Sequence, residues 1–465
     1  MTSCCRQFCS VIGSTLANLI LVLLLCYPFG RSLSFLMYKQ LHKNPYLWFV
    51  PGAVSLVLAI LGISSHYLTS FFQYSVTRVL FSIGIDFFFI SLKIAIPVMI
   101  EEVVFLFCKA ARPYQPLSSA LVLSFGLFWF IVGHIQGSFR RVKKIDVLNN
   151  RIPQSLRVVQ LSDIHIGSMR FTELRKIVNQ TNQLNPDIIC ITGDLVDSVS
   201  IVNSELPDPI TGQLRPHCGF APLADLRATY GVFFVTGNHD VESGRDGLLS
   251  ILSHFPNITV LSNEIHTISI PIDTQHVQRL PTPLPEPEEM DSPPSSPTPA
   301  PINFPVRIIG IEDGSDSEFR EWVSDIEKEL PKDESVHPFT IVLHHRPHTF
   351  SWKPSIKRLF GDMMLCGHTH AGQAWPVYPF ILLAHVPAFG MLQKARIVPK
   401  ESKSNLAAHS ETMFNKRMVT VTPHEPLDVC TPPFIYVNPG TCTWASKLRT
   451  ISLNEISCFD VRASR

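Results

Sequence analysis

The chain has 465 residues, 17% of them charged and 46% hydrophobic, with a formal net charge of +1. The length allows two or three domains, and the charged fraction lies well below the about 25% of soluble chains, which points to membrane segments. A near-neutral balance argues against a nucleic-acid binder, which carries a basic surplus, and 11 cysteines without regular spacing exclude a small disulfide scaffold.

Four apolar stretches occupy the N-terminal third: 11–29, 47–64, one inside 79–108, and 117–136. Each is near the length of about 20 residues that crosses a bilayer as a helix. The first exceeds the about 7–15 apolar residues of a signal peptide and is followed by further spans, so it reads as an uncleaved anchor. Cys4, Cys5 and Cys9 precede it as palmitoylation candidates or plain thiols. The third stretch contains Asp86 and Lys93, seven apart and on one helix face. Snorkelling near the span ends or packing inside the bundle is the simpler expectation, and a polar relay is the alternative. Arg140, Arg141, Lys143 and Lys144 follow the last span and favour a cytosolic C-terminal domain, narrowly opposed by Arg31, Lys39 and Lys43 in the first loop with Lys109 and Arg112 in the third. The expected organisation is a four-helix transmembrane region over 1–140, a basic linker over 141–154 and a catalytic-sized domain over 155–465.

From residue 155 short apolar runs alternate with helical spacing. Leu156–Leu161, Asp187–Thr192, Gly231–Thr236, Val306–Ile311, Phe339–His344 and Asp362–Cys366 read as buried strands, and Phe171–Leu184 as a helix between the first two. Continuous apolar strands alternating with helices predict an α/β layered fold with sheets covered by helices. Residues 281–305 are crowded with proline, serine and glutamate and predict a disordered insertion, with Ser292 and Ser296 before prolines; 396–431 predicts a second one. Cys190 and Cys366 lie inside strands and read as small core residues. Asn179 and Asn257 open glycosylation triplets at a frequency near chance.

Polar clusters stand where strands stop: Asp163-Ile164-His165, Gly193-Asp194 with Asp197, Gly237-Asn238-His239-Asp240, His344-His345-Arg346-Pro347 and Gly367-His368-Thr369-His370. Polar groups at the carboxyl ends of parallel strands meet in one crevice. Imidazole and carboxylate without thiolate suit manganese, iron or zinc and argue against a structural zinc site. Asp163 with His165, and His368 with His370, are two apart, so an extended backbone would point each pair to one side. Two ions about 3.5–4 Å apart can activate a bridging hydroxide and clamp a phosphate. Singly, Asp194 reads as a capping carboxylate, Asn238 as a turn residue and His368 as a surface or core histidine; together, in this order, the clusters are far from chance.

DIH, GDLVD, GNHD, HRP and GHTHAGQ resemble the calcineurin-like metallophosphoesterases, and GIED at 310–313 with LSNE at 261–264 resembles the membrane-associated branch of that family. The resemblance covers about 155–395 and the strands near 434–454. It implies that Asp163, His165 and His370 hold one divalent ion, that Asn238, His345 and His368 hold a second, and that Asp194 bridges both. It further implies His239 as the acid at the leaving group, oriented by Asp240, with Asp197 as a supporting carboxylate. The family pattern selects His345 over its neighbour His344. His385-Val386-Pro387 repeats that pattern in apolar sequence and reads as a decoy, while Gly440-Thr441 resembles the family's late glycine turn.

Residues 374–392 are apolar just beyond the last cluster. Their prolines weigh against a fifth span, and a rim loop touching the membrane surface or a lipid substrate competes with plain core packing. The expected activity is hydrolysis of a phosphomonoester, phosphodiester or pyrophosphate by a membrane-anchored enzyme with two divalent ions (manganese, iron or zinc), with a lipid phosphoester as a candidate substrate. One rival is a catalytically silent membrane scaffold, which loss of a ligand position would favour; a transporter with a regulatory metal domain is the other. No expected ligand position is missing.

Overall fold

The computed structural model describes residues 27–37, 43–44, 50–57, 60, 74–149, 152–169, 171–205, 219–272, 303–330, 338–347, 361–375, 377–384, 390–393, 429–430 and 433–463. Two long helices open the well-described part, α1 (Tyr74–Phe107) and α2 (Gln115–Ser138). Within them Ser82–Phe107, and Lys109–Ser138 with the turn before α2, are long and apolar enough to cross a membrane. They correspond to the third and fourth apolar stretches. The stretch 11–29 up to residue 26, the three N-terminal cysteines and half of 47–64 lie outside the described residues, while 27–29 and 50–57 are helical, so among the described residues two of the four expected spans are seen at full length.

The hairpin inverts the usual burial pattern. Ile96, Met99, Leu121 and Phe128 stand exposed, whereas the buried residues of α2 are Gln115, Ser119, Gly126, Gly133 and Gly137. Small residues let helices approach closely where lipid, not water, is the surrounding solvent. Lys93 is buried, with its ammonium 5.6 Å from the Trp129 ring centre, and Asp86 pairs with His134 of α2 at 3.4 Å. Both charges therefore pack inside, as the simpler expectation had it.

Strand β1 (Arg140–Leu148) follows α2 after one residue. The tract expected as a basic linker is thus a sheet strand. It pairs in parallel along its whole length with β13 (Asn454–Arg462), because Val147 and Ile145 can bury while Arg141 and Lys144 face outward. The chain continues through β2 (Leu156–Leu161), helix α3 (Phe171–Asn182), β3 (Ile188–Thr192), α4 (Val199–Glu205), β4 (Val232–Val235), α5 (Asn238–Glu242), α6 (Arg245–Leu252) and β5 (Ile258–Val260). It then forms β6 (Glu264–Pro271), β7 (Asn303–Ile311), α7 (Asp316–Glu329), β8 (Phe339–His344), β9 (Met363–Cys366), α8 (Tyr378–Ala384), β10 (Gly390–Gln393), β11 (Val429–Cys430) and β12 (Phe434–Val437).

The strands make a seven-stranded sheet, β11-β1-β13-β2-β3-β4-β5, and a six-stranded sheet, β10-β12-β9-β8-β7-β6. Their inner faces share one core, including Val158, Phe233, Ile308, Leu343, Tyr436 and Phe459. The outer face of the first sheet is covered by α3, α4 and α6 through Leu174, Ile177, Val202 and Leu248, and that of the second by α7 through Phe319, Val323 and Ile326. The fold is therefore the expected mixed α/β arrangement, two sheets flanked by helices. Both faces of each central strand are buried, which is why those strands read as unbroken apolar runs. Cys190 and Cys366 are fully buried in them.

Two insertion boundaries shift. Residues 303–305 belong to β7, which pairs antiparallel with β6 from Asn303 onward, and 429–430 form β11 beside β1. Residues 281–302 and 396–428, and with them Ser292 and Ser296, lie outside the described residues. The first insertion joins β6 to the amino end of β7, and so leaves from the end of the sheet opposite the carboxyl ends of the strands.

Candidate dimetal site

Parallel pairing of β2, β3 and β4 in one sheet, and of β8, β9 and β12 in the other, directs their carboxyl ends to a single edge. Gln160 ties the two sheets there, its amide donating to Thr192 Oγ1 at 2.9 Å and to the Cys366 carbonyl at 2.8 Å. The five clusters leave these strands and converge. Asp163, His165 and His370 form one group whose ligand atoms lie within 4.8 Å of one another, and Asp194, His345 and His368 form another.

The backbone at these positions is not extended. Asp163, His165, Asp194, His368 and His370 have φ of 53°, 52°, 52°, 73° and 48°. The pairs two apart therefore converge through left-handed turns and not through strand alternation, a correction to the extended-segment expectation. Each such residue costs about 1–3 kcal/mol, strain that concentrates at functional sites. It is held by hydrogen bonds between the loops: Asp163 N–H donates to Gly193 O and His165 N–H to Asp194 O, both at 3.0 Å. The close approach explains two glycines. A Cβ on Gly237 would overlap Asp194, and one on Gly367 would overlap Ser162 and Asp163.

His165 Nε2 lies 3.0 Å from His370 Nε2, and His370 Nε2 lies 3.4 Å from Asp163 Oδ1. On the other side His345 Nε2 is 3.0 Å from Asp194 Oδ2, while His368 Nδ1 meets Asn238 Oδ1 at 2.8 Å. Asp194 stands between the groups, also 3.9 Å from His165 Nε2. His344, as expected, faces away: its Nδ1 contacts the Ile311 carbonyl at 3.1 Å and its ring packs on Phe319.

The far nitrogens of two rings have close polar neighbours, within ion-pair distance for His165 and in a hydrogen bond for His345. His165 Nδ1 is 3.2 Å from Asp197 Oδ1, and His345 Nδ1 is 2.8 Å from the Thr192 carbonyl. Such partners fix tautomer and ring orientation at metal sites. Burial and neighbouring charge then oppose each other. Burial raises Asp163, reinforced by Asp194. Burial also penalises charge on Asp194, yet His345, His239 and His165 hold it well below the ordinary carboxylate range. His345, although buried, is lifted to about 10 by Asp194 and Asp163. His370 is pushed well below its ordinary value by burial, His165 and Arg449.

His239 lies beside both groups, its ring edge-on to His165 at 5.0 Å between centres and 5.7 Å from Trp444. Burial lowers it, with Asp194 opposing. Asp240 does not orient that ring, contrary to expectation. Its carboxylate accepts from Val196 N–H at 3.0 Å and Gly237 N–H at 2.8 Å, which ties the β4 loop to the β3 loop. Burial and Asp194 raise it to about 7.

Two contributors, Arg449 and Trp444, carried no sequence signal, and a third, Gln373, closes the GHTHAGQ motif without a role read from it. Arg449 is fully buried, donating to Pro439 O at 2.6 Å and Cys442 O at 2.9 Å and reaching His370 O at 3.3 Å. Burial lowers it to about 10. Trp444 faces His239, and Gln373 clasps Trp444 through both its backbone groups at 2.9–3.0 Å. Arg449 and Trp444 stand in a stretch without regular elements, so no period marks them. The Gly440-Thr441 turn does lie at the site: Thr441 N–H donates to Ser162 O at 2.7 Å, and a Cβ on Gly440 would come within 3.0 Å of His370 Nδ1. The GIED and LSNE motifs join each other, since Glu312 N–H donates to Asn263 Oδ1 at 2.9 Å. His385 lies outside the described residues.

Residues 156–372 match the family model of the calcineurin-like phosphoesterases, and the chain carries a domain of that family, a metal-dependent phosphoesterase. It is 28% identical over 391 residues to an uncharacterized metallophosphoesterase of Helicobacter pylori, covering 81% of this chain and 88% of that protein. It is 27% identical over 333 residues to the transmembrane protein with metallophosphoesterase domain of Bos taurus, covering 70% of this chain and 57% of that one. The Danio rerio protein of the same name is 28% identical over 249 residues, 51% of this chain and 46% of that one. Two of these relatives are named as transmembrane proteins, and this chain has two helices long and apolar enough to cross a membrane among its described residues.

Proposed function

We propose that the protein is a membrane-anchored phosphohydrolase using two divalent ions. The observation that carries this reading is the convergence of seven nitrogen and oxygen donor residues from both sheets, five of them on left-handed backbone. The donor chemistry fits: imidazole nitrogens face carboxylate oxygens and one another at 3.0–3.9 Å with no thiolate among them, a set suited to manganese, iron or zinc. Asp163, His165 and His370 hold one ion, Asn238, His345 and His368 the other, and Asp194 both. Bound there, the ions supply positive charge for the phosphoryl oxygens and activate water at neutral pH.

The chain's own groups do the remainder. His239 donates a proton to the leaving oxygen. Burial keeps the free imidazole low, and the negative charge of a phosphoester restores its affinity for that proton. Asp197 holds His165 in the tautomer whose Nε2 faces the site, and Asp240 keeps Gly237 and Val196 in register beneath Asp194. The apolar composition of 11–29 and 47–64 supports further membrane segments ahead of the two long helices, before a domain whose sheet begins with β1 at Arg140, and the basic residues after α2 favour a cytosolic domain.

A lipid phosphoester is the substrate class we favour. Ala374 and Val377 pack with Leu448 against Ile85, Phe88, Phe89 and Phe130 of the hairpin, and Trp375 and Leu383 nearby stand 51% and 87% exposed. An apolar rim next to the membrane helices suits a substrate with an acyl or prenyl tail. The test uses the purified full chain. Hydrolysis of nitrophenyl phosphate should vanish with chelator and return with Mn²⁺, and a chain that loads two ions without hydrolysing any phosphoester is a silent scaffold. Trp375→Ser with Leu383→Ser should weaken hydrolysis of vesicle-borne lipid phosphate while sparing the soluble ester; equal loss on both removes the lipid reading.

A further inference from the structure

The membrane hairpin reaches the candidate site through one loop. Residues 443–450 run from Thr443 to Thr450 between β12 and β13, and they face the site on one side and the hairpin on the other. On the site side, Trp444 packs on His239, and Arg449 donates to the His370 carbonyl. Ala445 N–H donates to Ser168 Oγ at 3.1 Å; that hydroxyl donates to Asp197, which anchors His165. Three imidazoles of the site thus lean on this loop.

On the hairpin side, Ser446 Oγ donates to Asp86 of α1, whose second oxygen meets His134 of α2. Arg449 N–H donates to Gly133 O at 2.9 Å, and Asn454, just beyond, donates to Gly137 O at 2.8 Å. The fit is close: a Cβ on Gly137 would overlap the Lys447 carbonyl, and one on Gly133 would come within 2.9 Å of Leu448. Gln373 closes the arrangement by accepting from Trp444 N–H while donating to the Trp444 and Ser446 carbonyls.

A carboxylate among apolar side chains of a hairpin is costly and is retained where it has a use. A tether requires neither Asp86 nor contacts between its helices and an active-site loop. We propose that Asp86 is a positioning residue for the candidate site: it holds Ser446, and with it the loop that sets Trp444 against His239 and Arg449 beneath His370. The hairpin is then part of the catalytic scaffold. This inference rests on the phosphohydrolase reading for its kinetic consequence, but not for its structural one.

The experiment uses the full chain in detergent micelles with Mn²⁺, and reads the kinetics of an alkyl phosphate, whose leaving oxygen needs a proton, beside amide hydrogen exchange over 443–450. Asp86→Ala should lower kcat about tenfold, with KM within about twofold, and speed exchange of the loop about tenfold. Asp86→Asn keeps an oxygen for Ser446 and should restore most of both. Asp86→Ala combined with Ser446→Ala should lose less than the sum of the two single losses, because both remove the Asp86–Ser446 bond while the Leu448 N–H bond belongs to Ser446 alone. Ile96→Ala, on the exposed face of α1, should leave both readouts unchanged. Unaltered loop exchange in Asp86→Ala, or additive losses in the double variant, overturns the proposal. If Asp86→Ala does not fold, Ser446→Ala removes the same hydrogen bond from the loop side and is read by the same criteria. A wild-type chain without metal-dependent hydrolysis would refute the phosphohydrolase reading, while loop exchange would still decide the positioning role.

Discussion

The strand-end crevice and the membrane hairpin solve opposite solvent problems with opposite residues. In the crevice, ionisable groups are buried: Asp163, His165, Asp194 and His345 are at most 1% exposed, and each is held by a neighbouring loop. In the hairpin, large apolar side chains such as Ile96, Met99, Leu121 and Phe128 stand exposed, while α2 buries glycine, serine and glutamine against a face that includes Phe89, Ile94 and Val98 of α1. Burial in the crevice places charge where reacting groups can use it; exposure in the hairpin matches a surrounding of lipid tails. The two regions meet at 443–450, where a loop of the catalytic domain packs on hairpin glycines.

The contrast can be broken most forcefully from the crevice side. Asp194→Asn should remove retained metal and lower turnover by at least about 10³-fold, the upper range for loss of one electrostatic stabiliser. Metal analysis together with phosphatase assays checks this, and full turnover with two ions per chain would cancel the bridging role. His239→Ala should keep both ions and lose about 10²–10⁴-fold, with a smaller loss on nitrophenyl esters, whose leaving group needs no proton. Equal losses on both substrate types would remove the acid.

Between the two regions lies the inter-sheet core. Phe459 is fully buried there, edge-on to Tyr436 at 5.2 Å between ring centres. Phe459→Ala should cost about 3–5 kcal/mol, read by denaturant unfolding of the catalytic domain within the full chain. At the junction, Gly137→Ala must displace the Lys447 backbone and should cost about 1–3 kcal/mol as overpacking does, seen as faster exchange of the loop. A stable protein with unchanged loop protection would mean that the hairpin and the domain do not pack as described. The smallest effect belongs to the exposed hairpin face, where Leu121→Ala should stay within about 0.5 kcal/mol in micelles.

Much of the site was legible because its signals are local. Asp163, His165, Asp194, Asn238, His345, His368 and His370 each follow an apolar strand, and a parallel sheet brings such ends to one edge whatever the separation along the chain. That only one of His344 and His345 faces the site follows from neighbouring side chains facing opposite ways, the resemblance to the family pattern selected His345, and the structure puts His344 on Phe319. The strands themselves were legible because both of their faces are buried.

What stayed hidden depends on contacts across the chain. The tract at Arg140–Leu148 looks like a basic linker because its charged residues face outward and its apolar ones are few; only pairing with β13, more than 300 residues on, makes it a strand. Asp240 follows His239 in sequence and invites a pairing that the helix turn refuses, since its carboxylate points back to Gly237 and across to Val196. Arg449 and Trp444 sit in irregular backbone, where no period reports which way a side chain points. The sequence by itself determined the fold class and the metal-binding residue types, because apolar runs and polar strand ends are written in short segments. The tertiary structure decided the left-handed turns, the supporting carboxylates and the seating of the hairpin on the active-site loop, because each depends on a partner that neither spacing nor composition names.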